Sequence, residues 1–366
     1  MIQKEQGLTE MIISGERVKQ ARELKGWTQA VLARAVGVSQ AAIAQIESGA
    51  FMASDELVAE IAKSTGQPLQ FFQQDPAPEF PVGSLLFRSH ASLTKKDLAV
   101  TYRHAQRAYE LWMRLREGLT PPSIKIPRLS VNPSEAAANV RKLLGIPAND
   151  PVPHLLNLLE WHGLVAVIVP DIKTRDAFSL WFNGLPIMAL SSGRPGDRAR
   201  MNVAHELGHL VLHAGKSRFE IDDSEADDFA AEFLMPETAM RREIKMPVTI
   251  SSLAAIKPRW RVSIQALVYR CKELGIITDR QYRYLFEQIS AMGWRRSEPV
   301  HIAVEQPRAL RQMAEMRFGD PLDYATLSHE TAIDADTLRE ILADYAGKSP
   351  APVVASNIVS LSRKQR

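Results

Sequence analysis

Five consecutive residues, His205-Glu206-Leu207-Gly208-His209, carry the strongest chemical pattern in this 366-residue chain. On a helix, residues four apart lie one turn apart on one face, so His205 and His209 suit a single tetrahedral Zn2+. Glu206, adjacent on the helix, suits a general base that takes a proton from metal-activated water. A catalytic zinc also needs a third protein ligand and a position open to water. His213 lies eight residues beyond His205, about 12 Å along a helix axis. That distance excludes it from a shared metal, and it is expected to end the helix ahead of Gly215. Cys271 sits in the apolar pattern ALVYRCKELG and is expected in a core. The following acidic stretch, DDSEADDFAAEFLMP, offers Asp222, Glu225, Asp228 and Glu232, among which residue chemistry alone does not choose. The reaction also needs an oxyanion stabiliser, for which Tyr269, Tyr282, His213 and His162 are candidates. Asp228 is a candidate for orienting the histidines from behind.

A second constellation lies near the N-terminus, in QAVLARAVGVSQAAIAQIES over residues 29–48. Two helices crossing steeply need a small residue at the crossing and a turn residue tolerant of positive φ, and Ala33 and Gly37 supply them. Leu32, Val36, Val38, Ile43 and Ile46 fall where a small helical core needs apolar side chains. Thr28 and Ser39 are placed to cap the two helices, presenting backbone N–H groups at both starts.

Other elements must position these groups. Apolar content of 45% and charged content of 24% are those of a globular chain, and its length suits two to three domains. A single cysteine excludes an internal disulfide framework and suits a reducing cytosol. No apolar stretch is long enough to span a bilayer, and the first twenty residues lack the apolar core of a secretory signal. Three prolines in residues 74–83 predict an extended linker, and residues 85–117 have helical periodicity. Helices are expected from Ser134 to Leu144 and from His154 to His162, then a strand in LVAVIVP. FSLWFNGLPIMAL, residues 178–190, predicts a hairpin turning at Asn183-Gly184, ahead of helices over 197–213 and 222–242. Residues 324–345 predict another small helical hairpin without a glycine at its turn. Residues 1–75 hold seven Lys/Arg against nine Asp/Glu, whereas 241–300 hold twelve against five. That basic excess either attracts an anionic partner or covers a solvated helix face.

Residues 15–72 resemble the Cro/repressor-like helix-turn-helix family. The resemblance implies that the second helix enters the major groove of double-stranded DNA, with Ser39, Gln40, Ala41 and Gln45 at base edges. It places Thr28 and Gln29 at phosphates. Val31 replaces the usual glutamate of the TQxELA pattern, Ala41 has no polar reach, and the recognition helix has no Lys or Arg. Weak binding by one copy is expected, and therefore a homodimer or help from the basic part of the body. Residues 134–294 resemble ImmA/IrrE-type metallopeptidases, a gluzincin-like group. Three marks occur in order: the FSxWxNGxPIxxL hairpin, the HELGHLxLH helix and EAxxFAxxFLMP. The resemblance implies that Glu225, opening the last motif, completes a zinc site with His205 and His209 while Glu206 acts as general base.

The expected fold is therefore mainly α with a small sheet (α+β). It divides into a helix-turn-helix domain (11–75), a linker and connecting helix (76–130), a metallopeptidase core (131–245), a basic helical part of that body (246–300) and a helical C-terminal region (301–366). The expected function is a cytoplasmic DNA-binding regulator carrying a zinc endopeptidase. The peptidase is expected to cleave the chain itself or a repressor- or antitoxin-like partner in response to stress. The alternative is a regulator or antitoxin whose peptidase-like domain only senses or dimerises. A helix from 301–366 covering the cleft would keep the peptidase latent.

Overall fold

The computed structural model describes residues 12–80, 94–169, 177–191, 195–216 and 220–347. The start of the expected 85–117 helix, most of residues 170–176 and the basic C-terminal tail lie outside them. Among the described residues are seventeen helices and one three-stranded sheet, a mainly α fold.

Five helices form the N-terminal unit: α1 (Gly15–Leu24), α2 (Gln29–Ala35), α3 (Gln40–Glu47), α4 (Asp55–Thr65) and α5 (Leu69–Phe72). Ser14, Thr28, Ser39 and Ser54 each accept a first-turn N–H, so the first four helices start at a side-chain cap. Val18, Leu32, Ile43, Val58, Ile61 and Phe72 fill the core between them, with Val36 and Val38 partly buried against it. Gly37 takes a φ of 74° at the turn joining α2 to α3.

The long helix α6 (Lys95–Leu115) ties this unit to the rest of the molecule. Arg17 donates two hydrogen bonds to Glu110, at 3.0 and 2.5 Å, and Arg103 bonds Glu23 at 2.6 Å and Glu16 at 3.2 Å. Arg107, fully buried, reaches the Gln67 side chain. Burial pushes the Glu110 carboxyl up, but the hydrogen bonds and charge of Arg17, with Arg114, outweigh it and hold Glu110 below the usual carboxylate range. These pairs are desolvated, so removing one partner strands the other's charge.

The opposite side of α6 covers a sheet of β1 (Val165–Val169), β2 (Ala177–Phe182) and β3 (Leu185–Ser191), ordered β1-β3-β2. β1 runs parallel to β3, and β2 antiparallel to it through a turn with Asn183 at φ 48° and Gly184 at φ 76°. Alternation along the strands gives two apolar faces. Val165, Val167, Phe178, Leu180 and Ile187 pack under α6 and under α15 (Ala309–Phe318), α16 (Tyr324–Thr331) and α17 (Ala335–Ala343).

The other face, including Ala166, Ala177, Met188 and Leu190, packs on the larger helical layer. Its helices are α7 (Pro133–Leu143), α8 (Leu155–Trp161), α9 (Gly196–Leu212), α10 (Asp223–Leu234), α11 (Glu237–Glu243), α12 (Ile250–Trp260), α13 (Ile264–Glu273) and α14 (Asp279–Ala291). Asn132, rather than Ser134, caps α7. The expected 222–242 helix breaks at Met235-Pro236 into α10 and α11, because proline lacks the N–H that would continue the ladder. Cys271 is fully buried in this layer's core, and burial pushes its thiol up to about 11.

The expectation that a C-terminal helix covers the cleft is corrected for the described residues. α15 to α17 lie on the sheet face away from α9, where Tyr345 Oη accepts the Ile168 N–H at 2.9 Å. α16 and α17 do form the expected hairpin, with Ala332 at φ 52° standing where glycine is usual. Six of the twelve basic residues in 241–300 are in ion pairs: Arg241, Lys257, Arg259, Arg261, Arg270 and Lys272. Much of that local excess is therefore internally neutralised. No helix among the described residues is long and apolar enough to cross a membrane.

Candidate metal centre

α9 is held at its C-terminal end by groups that satisfy carbonyls the helix itself leaves open. Trp181 Nε1 on β2 donates to the Leu210 carbonyl at 2.8 Å, and the Leu129 N–H donates to Val211 at 2.8 Å. α10 runs antiparallel beside α9. Gly208 permits the close approach: a Cβ there would lie 3.1 Å from a Phe229 ring carbon and 3.2 Å from the Ala226 Cα.

Antiparallel packing sets the i, i+4 pair His205/His209 of α9 against the i, i+4 pair Asp223/Asp227 of α10. His205, His209 and Asp223 each present one ligand atom within 4.8 Å of the others. The two Nε2 atoms are 3.2 Å apart, and His209 Nε2 is 3.3 Å from Asp223 Oδ1. Ligands at about 2.0–2.1 Å around a tetrahedral ion are separated by about 3.3–3.4 Å, so these spacings fit a shared zinc.

The tautomers agree. His205 Nδ1 lies 2.6 Å from Asp227 Oδ1, which accepts its proton. His209 Nδ1 is 2.6 Å from His213 Nδ1, and His213 Nε2 is 2.8 Å from Glu225 Oε2. A carboxylate only accepts, so His213 donates from Nε2, and in the neutral ring its Nδ1 accepts from His209. Both Nε2 atoms of His205 and His209 then carry lone pairs that face each other beside a carboxylate. Three acceptors converging in this way are stabilised by a cation.

Glu225, the ligand that the resemblance implies, stands one imidazole away from His209. Its Oε2 is held by His213 and, at 3.4 Å, by Lys216 Nζ, and it is Asp223 that reaches His209. The His213 hydrogen bond, with Lys216, holds the Glu225 carboxyl below its ordinary range. His213 sits at the end of α9 as expected, with a role that spacing alone did not reveal: it links Glu225 to His209. The residue behind His205 is Asp227, not Asp228, whose carboxyl is pushed up by burial and by Asp227. Glu232 pairs instead with the buried Arg270, and Asp222 caps α10 through the Ser224 N–H.

Glu206 is buried, and Ser179 Oγ on β2 lies 2.7 Å from its Oε2 and 3.0 Å from its carbonyl oxygen. The hairpin thus fixes the carboxylate expected to act as base. Tyr269 and Tyr282 stack with Phe286, and His162 Nδ1 bonds the Leu158 carbonyl at 2.7 Å. Of the four oxyanion candidates, His213 alone has a contact with the histidine pair described above.

On the N-terminal unit, Thr28, Ser39, Gln40, Ala41 and Gln45 are exposed on the α2–α3 face. Gln29 is engaged inside: its Nε2 donates to Glu47 Oε2 at 2.9 Å, beside the two bonds that Arg22 makes to Glu47. A phosphate contact by the Gln29 side chain would have to give up that bond, whereas its backbone N–H lies in the first turn of α2.

Residues 18–72 match the helix-turn-helix family, and residues 162–272 match the family described as the IrrE N-terminal-like domain, a peptidase family. The chain therefore joins a helix-turn-helix DNA-binding domain to an IrrE-like metallopeptidase-type domain, as its sequence resemblance implies. No curated protein matches the chain.

Proposed function

We propose that this fusion is a cytoplasmic, homodimeric DNA-binding regulator whose second domain is a zinc endopeptidase, cutting the chain itself or a repressor- or antitoxin-like partner under stress. The observation that carries the reading is the convergence of His205, His209 and Asp223 at zinc-ligand spacing, with Glu206 buried beside them on the same helix. His205 and His209 supply two ligands and the first turn of α10 a carboxylate. Bound zinc supplies Lewis acidity toward a scissile carbonyl and toward water.

The remaining chemistry belongs to the chain. Glu206, held by Ser179, takes a proton from water and returns it to the leaving amine. Asp227 and the Glu225–His213 pair fix the two histidine tautomers, keeping both Nε2 lone pairs directed inward. β2 is an edge strand beside α9, and its outer rim offers backbone groups with which an extended peptide can pair. The exposed Gln40 and Gln45 read base edges in the major groove, and the capped N-termini of α2 and α3 face phosphates.

The test uses full-length protein with added zinc, incubated alone and with any repressor- or antitoxin-like protein encoded beside its gene, and intact mass is read. Defined fragments are expected from wild type. Glu206→Gln is expected to lower cleavage by about 10²–10⁴-fold while keeping the metal. Zinc-loaded wild type that cuts neither itself nor those proteins would support the non-catalytic alternative.

A further inference from the structure

A cavity of about 500 Å³ opens between the first half of α9, the α12–α13 junction and the segment following α14. This volume is in the range of small-molecule sites. Its floor is a closed ionic network. Buried Lys257 bonds Asp197 at 2.7 Å and Glu298 at 2.8 Å, and Glu298 accepts the Ile264 and Gln265 N–H groups at the start of α13. One cation thus stands between two carboxylates, so the floor is hydrogen-bonded throughout but keeps a net negative charge.

The walls and mouth are of different character. Met201, Trp294, Val300, Ile302 and Val304 make an apolar lining. Three arginines, Arg198, Arg295 and Arg296, border it. Arg295 donates to Ser290 Oγ and lies over the Phe286 ring. Arg198 and Arg296 are exposed and make no ion pair among the described residues. Val300 adds an independent sign. It is a β-branched residue at φ 63°, a conformation that costs energy and that concentrates at functional sites, and it is 43% exposed on the cavity wall.

We propose that this cavity binds a small organic anion, a carboxylate on an aromatic or branched apolar stem. The guanidinium groups of Arg198 and Arg296 take the carboxylate in fork geometry, and Trp294 and its apolar neighbours take the stem. The net negative floor repels a carboxylate, so the ligand carries its charge at the mouth end only. Arg198 and Met201 belong to α9, and Met201 is one turn before His205. An occupant bridging Arg198 to Arg296 therefore ties the metal-bearing helix to residues 294–304, which makes the cavity an input for a chemical signal. The binding claim stands independently of peptidase activity.

Isothermal titration of phenylacetate into the full-length protein tests it, with phenylacetamide and inorganic phosphate as companions. Saturable binding of phenylacetate is expected, with a Kd of about 1 mM or below. Both companions are expected to bind at least roughly tenfold more weakly, because one lacks the charge and the other the stem. Arg198→Ala/Arg296→Ala is expected to weaken phenylacetate roughly tenfold or more with little change in Tm, since both side chains are exposed and make no ion pair among the described residues. Trp294→Ala is expected to weaken phenylacetate and leave phosphate unchanged. Equal binding of phenylacetamide, unchanged affinity in the double variant, or no saturation by about 10 mM would overturn the proposal.

Discussion

The outward face of α2–α3 and the seam between α9 and α10 handle polar groups in opposite ways. In the helix-turn-helix unit the charges turn inward. Arg17, Arg22 and Arg103 are buried against Glu110, Glu47 and Glu23, while the neutral Ser39, Gln40, Ala41 and Gln45 are left in water. Along the α9–α10 seam, imidazoles and carboxylates are directed at one another from two helices, and one set of lone pairs is left converging. Groups left in water suit a partner that brings its own charge, such as DNA. Groups drawn from water must find one another or a cation. The first arrangement costs little stability and gives modest affinity; the second buries His209 and His213 behind carboxylates that stay in contact with water, an arrangement suited to holding a cation.

Substitutions at both regions sharpen this contrast. Arg17→Ala strands the Glu110 charge at the junction with α6 and is expected to lower stability by about 3–5 kcal/mol, read by denaturant unfolding. A loss within a few tenths would mean that the junction is wetter than its geometry indicates. At the seam, Asp223→Ala is expected to weaken zinc by about 100-fold and Glu225→Ala, acting through His213, by about tenfold, both read by competition with a chelator. The reverse order would give Glu225 the ligand position. On the DNA face, Gln40→Ala is expected to cost about 1–3 kcal/mol on a specific operator and little on random DNA, since a lost base contact affects sequence reading rather than phosphate attraction.

A further expected effect concerns a buried carboxyl outside both regions. Burial pushes Glu160 up to about 7, against the opposing hydrogen bonds from the Arg308 and Ala309 N–H groups that start α15. Its folded value is raised, so its contribution to stability is complete below the ordinary carboxyl range and is lost as pH rises toward 7. Wild type is expected to lose stability between about pH 4.5 and 7 relative to Glu160→Gln, whose profile in thermal melts should be flatter there. Parallel profiles would show that Glu160 titrates normally.

The local parts of this molecule were legible in its sequence. Caps at Thr28 and Ser39, the turn at Asn183-Gly184 and the one-turn spacing of His205 and His209 depend on neighbours within a few residues. What escaped depends on how helices meet. Asp223 and Asp227 repeat the i, i+4 spacing of the histidines, a signal present in the acidic run. Seeing that they face the histidines required the antiparallel register that Gly208 permits. The internal use of Gln29 required Glu47 to be brought beneath α2. The C-terminal hairpin was legible, but not its packing, because its partners on β1 and α6 are far away in sequence.

The most direct test of the account is the metal content of full-length protein purified without added metal, then again after zinc is supplied. The account predicts about one zinc per chain in wild type and in Glu206→Gln, and loss of it in His209→Ala. Wild type that stays metal-free with zinc in excess, while folded by circular dichroism, would contradict it.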